Sequence, residues 1–149
     1  MAKMVRTYDD KGNVNGYLIE LEKDGKKTVS YLTALYPGCM KGYHLHLRRE
    51  SNYICVQGQV DVVYWTKEPG FTSTPVVKSH KFILNQGDEL HVPTFAPVAL
   101  FNHGKETAVL VNRPNPAYNP ADKGEQLEFN AIDCAHGHFP GWEGDEERG

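Results

Sequence analysis

The tripeptide His44-Leu45-His46 is the first point in the chain where side-chain types and spacing could support chemistry. In an extended segment, residues i and i+2 project to the same face. Both imidazoles then share one face, while Tyr43, Leu45 and Leu47 share the other. Two histidines so placed can ligate one metal ion, or act as a general base beside a polar neighbour. The plainer alternative is that both face solvent next to Arg48, Arg49 and Glu50. A catalytic zinc or iron takes at least three protein ligands, so a metal reading needs further donors. Glu50 and His91 would complete such a set with the pair, and His103 is another candidate. Arg48 and Arg49 could pair with a diphosphate or form a solvated strand end, and Tyr64 and Trp65 are expected to pack at the end of their strand, where an aromatic could also stack on a nucleotide base. His80, between Ser79 and Lys81, is expected to be exposed. A second pair, His136 and His138, lies in a Gly-rich setting unsuited to a rigid metal site.

The surrounding chain must place these residues, and it reads as strands and turns. Asp9-Asp10-Lys11-Gly12-Asn13 and Lys23-Asp24-Gly25-Lys26-Lys27 are turn signals, the second carrying the Asp-Gly hairpin cue. Strands are predicted over 17–21, 28–35, 42–47, 52–65 with a break at Gln57-Gly58, 76–84, 88–92, 97–102 and 107–112. A short strand is also predicted at 126–129. No long stretch has the i, i+3, i+4, i+7 periodicity of an amphipathic helix. Many short strands between Gly- and Pro-rich turns predict an all-β sandwich or barrel. Three prolines within 112–120 cannot continue a central strand. The organisation expected is one domain over 1–149, with N-terminal strands to 35, a barrel core over 36–112 and an irregular extension over 113–149.

Bulk properties narrow the function classes. A chain of 149 residues with 40% hydrophobic and 23% charged residues fits one globular domain. A net charge of −3 provides no basic field for a phosphate backbone, so nucleic acid is not an expected partner. No apolar run approaches bilayer length and no apolar signal core follows Met1, so no membrane association is expected and the cytoplasm is the expected location. Cys39, Cys55 and Cys134 are odd in number and form no CxxC pair, which argues against thiolate zinc sites and disulfides. Cys55, inside an apolar run, reads as a small buried hydrophobe.

Two longer spacings add a family signal. Gly38, five residues, His44, Leu45, His46, three residues and Glu50, with Gly58 closing the segment, resemble the first motif of the cupin superfamily. Gly87, five residues, Pro93, Thr94, Phe95, two residues, Val98, three residues and Asn102 match the spacing of the second. The resemblance implies a jelly-roll barrel (a double-stranded β-helix). The chain departs from the second motif at Phe95, where a glycine is usual, and at Val98, where metal-binding cupins place their last histidine ligand.

A cupin without that ligand resembles the metal-free members acting on nucleotide-linked 4-keto-6-deoxy sugars: dTDP-4-dehydrorhamnose 3,5-epimerases and dTDP-sugar 3,4-ketoisomerases. Lys41-Gly42-Tyr43-His44 is similar to the epimerase segment preceding the catalytic histidine, and Gly58 to Val63 to the next strand. Tyr118-Asn119-Pro120, Glu125 and Phe129-Asn130 resemble the epimerase C-terminal region, whereas the His-x-His followed by basic residues is closer to the ketoisomerases. The resemblance covers 38–130. It implies His44 as base with His46 as partner, and Tyr43, Arg48, Arg49 and Asn112 as substrate contacts. It also implies a nucleotide-sugar substrate, no cofactor, and a homodimer built partly through the N-terminal strands. Asn112 stands where the epimerases carry a reprotonating tyrosine, and Ala131, near Asp133, where they carry an orienting aspartate. Two rivals remain: a metal-dependent cupin enzyme using His44, His46, Glu50 and His91, and a non-catalytic sugar- or ligand-binding cupin.

Overall fold

A computed structural model describes residues 2–69 and 76–129, which form eleven strands and, among those residues, no helix. The strands are β1 (Met4–Tyr8), β2 (Val14–Asp24), β3 (Lys27–Leu35), β4 (Met40–His46), β5 (Ser51–Gln57) and β6 (Val60–Glu68). They continue as β7 (Val76–Leu84), β8 (Glu89–Val92), β9 (Val98–Phe101), β10 (Ala108–Asn112) and β11 (Gln126–Glu128). A six-stranded sheet runs β1-β2-β3-β10-β5-β8, and a five-stranded sheet runs β11-β4-β9-β6-β7. Every pairing is antiparallel. This is the all-β architecture expected from the strands and turns, in the jelly-roll form that the cupin resemblance implies. No helix of the described residues is long and apolar enough to cross a membrane.

The core lies between the sheets and follows strand parity. Leu35, Tyr53, Cys55, Leu110 and Ala108 from the larger sheet meet Val60, Val62, Val98 and Leu100 from the smaller one. Each fully buried valine or leucine here contributes about 1.5–3 kcal/mol. Cys55 is the buried hydrophobe expected, and burial pushes its thiol pKa up. A second apolar cluster covers the opposite face of the smaller sheet, where Tyr43, Leu45 and Ala99 pack with Trp65, Phe95 and Phe101.

Most predicted strands are present with bounds shifted by a few residues. β1 is an addition: its residues are almost all exposed, so Met-Val-Arg-Thr-Tyr shows no buried face for a pattern to reveal. The first turn is built as an Asx turn, Lys11 N and Asn13 N both donating to Asp9 Oδ1. At the second, Asp24 pairs with Lys27 and Gly25 takes a φ of 62°. The extension after 112 is tied to the barrel by bridges Thr28–Tyr118 and Glu50–Asn115 and by β11 on β4.

The second motif acquires a physical explanation. Phe95 has a φ of 59°, a left-handed conformation that glycine adopts without strain, which accounts for a glycine being usual there. The phenylalanine holds it by packing its ring into the second cluster, with Lys67 Nζ 5.2 Å from the ring centroid. Asn102 is buried and closes the following loop, donating to Leu35 O and Glu106 O and accepting from Gly104 N.

Candidate functional site

One strand and one bulge create the site. On β4, Lys41 pairs with Leu100 and Gly42 with Ala99, but His44 pairs with Val98, so Tyr43 is the extra residue. Cross-strand partners share a face. Leu100 and Val98 are core residues, so Lys41, His44 and His46 all turn to the space between the sheets, and Tyr43 and Leu45 turn away. Strict alternation would have put Lys41 on the opposite face from the histidines. Gly42 permits this: its φ is 131°, and a Cβ there would stand 2.7 Å from both Ala99 Cα and Val98 O.

These side chains open on a cavity of about 710 Å³ at the mouth of the barrel, within the range of small-molecule sites. The β4 wall holds Lys41, His44 and His46; the facing wall, from β3 and β5, holds Tyr31, Thr33 and Tyr53. Lys3 and Arg6 lie at the β1 rim, and Gln126 and Glu128 of β11 lie beside the histidines. His44 Nδ1 is buried without a hydrogen-bond partner and stands 3.7 Å from Glu128 Oε1, beyond hydrogen-bond reach. Burial pushes the His44 pKa below the ordinary histidine value; Glu128 opposes this and the Lys41 charge reinforces it. His46 is pushed down to about 4, by burial first and then by Arg49, against Glu125 and a hydrogen bond with Gln126. Both rings are therefore neutral near pH 7 and able to accept a proton.

Behind the histidines lies a buried ion pair. Arg49 Nε donates to Glu125 Oε1 at 2.6 Å, with both side chains 5% exposed. The guanidinium also sits 4.7 Å from the centre of the Tyr118 ring. Burial alone would raise the Glu125 pKa, but the hydrogen bond and charge of Arg49 outweigh it and hold the carboxyl below its usual range. Arg49 lines the cavity with its charge already matched. Arg48 does not line it: its guanidinium grips Asp122, with Nε 2.7 Å from Oδ2, at the surface.

The other residues named from sequence are placed elsewhere. Tyr43 borders the cavity, but its side chain packs with Leu45 and Ala99. Asn112 is wholly buried and does not line the cavity. Its Oδ1 accepts from Asn52 N, and its Nδ2 donates to Tyr31 Oη at 2.7 Å. Tyr31, its cross-strand partner, lines the pocket instead, and burial raises the pKa of its hydroxyl. Glu50 and His91 do not join the histidines. Ser51 and Val92 pair with buried side chains, so parity sends Asn52 and His91 to the outer face, where His91 Nε2 meets Glu50 Oε2 at 2.8 Å. With Val98 opposite His44, the donors among the described residues do not make up a catalytic metal's ligand set. Among the described residues no group of three or more His, Cys, Asp or Glu is arranged to hold one.

Of the remaining candidates, Trp65 packs in the outer cluster, and Tyr64 stacks on His80 and Phe82. His80 is partly buried rather than exposed and bonds Thr66 Oγ1 at 2.8 Å, because the long β6–β7 hairpin covers it. His103 pairs with Asp61 at 3.4 Å on the surface. Asn130, Ala131, Asp133, Cys134, His136 and His138 lie outside the described residues. Lys41, Tyr31, Gln126 and Glu128 join the site without having been assigned to it from sequence.

Comparison with known proteins agrees with this architecture. The family model described as cupin matches residues 22–129. No curated protein matches the sequence. Among solved structures, the capsular polysaccharide assembling protein CapF of Staphylococcus aureus aligns at 16% identity and a TM-score of 0.63, over 86% of this chain and 32% of its own. An S161A mutant of Bacillus subtilis oxalate decarboxylase OxdC aligns at 16% and 0.63, over 83% and 29%. Drosophila melanogaster CENP-C, in its complex with CAL1, aligns at 10% and 0.57, over 76% and 80%. The chain spans about a third of the length of the first two. Identities this low establish shared fold alone. The family match over most of the chain, with two sheets closing on a pocket walled by the first-motif histidines, makes this protein a member of the cupin family.

Proposed function

We propose that the pocket catalyses metal-independent proton transfer beside the ketone of a nucleotide-linked 4-keto-6-deoxy sugar, giving epimerisation or ketoisomerisation. The carrying observation is His44: a neutral imidazole on the wall of a cavity, with an unpartnered Nδ1 and a second neutral imidazole two residues away. A ketone acidifies the neighbouring C–H, and a neutral histidine is the base suited to remove that proton near pH 7. Tyr31 stands on the facing sheet. Its oxygen accepts from Asn112, which leaves its own proton for the pocket. Return of a proton from the Tyr31 side inverts the carbon; return at the next carbon moves the carbonyl.

Asn112 is a positioning residue in this reading rather than a substrate contact. Lys3 and Arg6 at the rim replace Arg48 as cations for the diphosphate, because Arg48 is engaged by Asp122. CapF, described as a capsular polysaccharide assembling protein, supports a carbohydrate context through shared fold only. The acting unit is proposed as a cytoplasmic homodimer. An apolar row across the outer face of the larger sheet supports this, running through Met4, Ile19, Leu32, Val111 and Ile54. The test is solvent deuterium incorporation into a dTDP-4-keto-6-deoxy sugar. Exchange at C3 or C5 that disappears in His44→Ala is expected; parent exchange no faster than the uncatalysed rate refutes the reading.

A further inference from the structure

Lys41 is a buried cation without a counter-ion. It is 8% exposed, yet no carboxylate among the described residues lies within ion-pair distance of its Nζ. A buried charge is normally paired, because its desolvation is otherwise uncompensated. The ammonium spans the barrel mouth from the smaller sheet to the larger, donating to Thr33 Oγ1 at 2.8 Å and Tyr17 O at 3.2 Å. An ammonium has three N–H donors, and two are used. The side chain lines the same cavity as His44, close enough that its charge depresses the His44 pKa. Gly16 helps make room for it: a Cβ there would approach Lys41 Cε to 3.1 Å and would meet Ala34 O at 1.8 Å.

We propose that Lys41 is the fixed cation on which an anionic oxygen of the ligand rests, and that in the reaction this is the ketone oxygen as it becomes an enolate. The inference rests on the proton-transfer reading of the same pocket. When His44 takes the proton, the C–H electron pair forms the carbon–carbon double bond and the carbonyl π pair moves onto oxygen. The third Lys41 N–H holds that oxyanion, and the charges return when a proton is restored to carbon. No oxidant, metal or further reactant enters. Thr33 and the Tyr17 carbonyl fix the ammonium beforehand, so little reorganisation accompanies the charge as it develops.

The test uses Lys41→Met, Lys41→Gln and Lys41→Arg in the full chain, with thermal melting to confirm that each is folded. For the keto-sugar exchange assay, Lys41→Met and Lys41→Gln are expected to lose about 10²–10³-fold in kcat with little change in KM. Lys41→Arg should recover part of the loss. A second measurement needs no turnover: acetate, but not acetamide, should shift the His44 ring resonances saturably in the parent and not in Lys41→Met or Lys41→Gln. Parent-like exchange in a folded Lys41→Gln variant overturns the proposal, as does acetate binding indifferent to Lys41. If the parent shows Lys41-dependent acetate binding but no exchange, the anion site stands and the keto-sugar reading fails. If it shows neither, both fall.

Discussion

Arg49→Met is the most demanding test of how the site is supported. In the parent, Arg49 and Glu125 compensate each other at 5% exposure each. Removing one partner of a buried pair leaves an uncompensated charge and costs about 3–5 kcal/mol, whereas removing both is far less damaging. Loss of the stacking on Tyr118 adds about 1 kcal/mol. The single variants Arg49→Met and Glu125→Gln should therefore each be strongly destabilised in urea unfolding, and the double variant should recover much of the loss. The pH dependence has a definite sign. With its parent pKa held down, Glu125 contributes stability that is present above the unfolded carboxylate value and lost as pH falls. In Arg49→Met the same carboxyl is buried without a partner, its pKa rises, and acidification relieves the penalty; parent and variant stabilities converge at low pH. His46 should report the change too, since its pKa loses the depressing influence of Arg49 and keeps the raising influence of Glu125. Urea melts over a pH series and NMR titration of His46 measure both effects. Single-variant losses that add within about 0.5 kcal/mol refute the coupling, as does an unmoved His46.

Tyr31→Phe should remove stereochemical inversion or carbonyl migration by about 10²–10⁴-fold while His44-dependent deuterium exchange persists; equal loss of both would show that Tyr31 acts only structurally. The acid limb of the exchange rate should lie below the ordinary histidine range, because burial keeps both imidazoles neutral there, and a limb at about 6.5 would contradict the placement. The depressed His46 pKa also ties stability to pH. The unfolded chain binds this proton first, so about 3 kcal/mol is lost as pH falls from 6.5 through about 4, as acid melts would record. Phe95→Ala should destabilise more than Phe95→Gly, since both lose the ring but only alanine retains the left-handed strain; the reverse order in thermal melts refutes the φ argument. Val98→His places a third imidazole opposite His44 and should create divalent-metal uptake well above the parent's, measured by titration calorimetry; equal uptake would mean the parent already has a complete donor set.

How much of this was legible in sequence depends on the range of the interactions involved. The histidine pair was, because i and i+2 share a face whatever the rest of the strand does. The barrel followed from turn chemistry and the two-motif spacing. Lys41 was hidden by one extra residue: strict alternation would place it with Tyr43 on the face opposite the histidines, and the bulge at Gly42–Tyr43 is fixed by the approach of Ala99 from a distant strand. Asn112 drew attention by its motif position, but the chemistry passed to its cross-strand partner Tyr31, a pairing across most of the chain. Glu50 and His91 looked like ligands only while the parity of β5 and β8 was unknown. Glu125, Gln126 and Glu128 meet the histidines through β11, a strand the sequence did show but whose pairing with β4, far away along the chain, no local pattern reveals.

That short strand has a consequence for the life of the chain. β4 is flanked by β9 on one side and by β11 on the other, so without residues 126–128 it becomes the border of its sheet. Its free N–H and C=O groups would then offer a template for another molecule. The segment made last among the described residues is thus the one that shields the histidine strand from strangers and furnishes the carboxylates around it. Release of β11 after a nick in the proline-containing stretch before it would bare the β4 edge and take Gln126 and Glu128 from the cavity together, so protease protection of that stretch should track the integrity of the pocket.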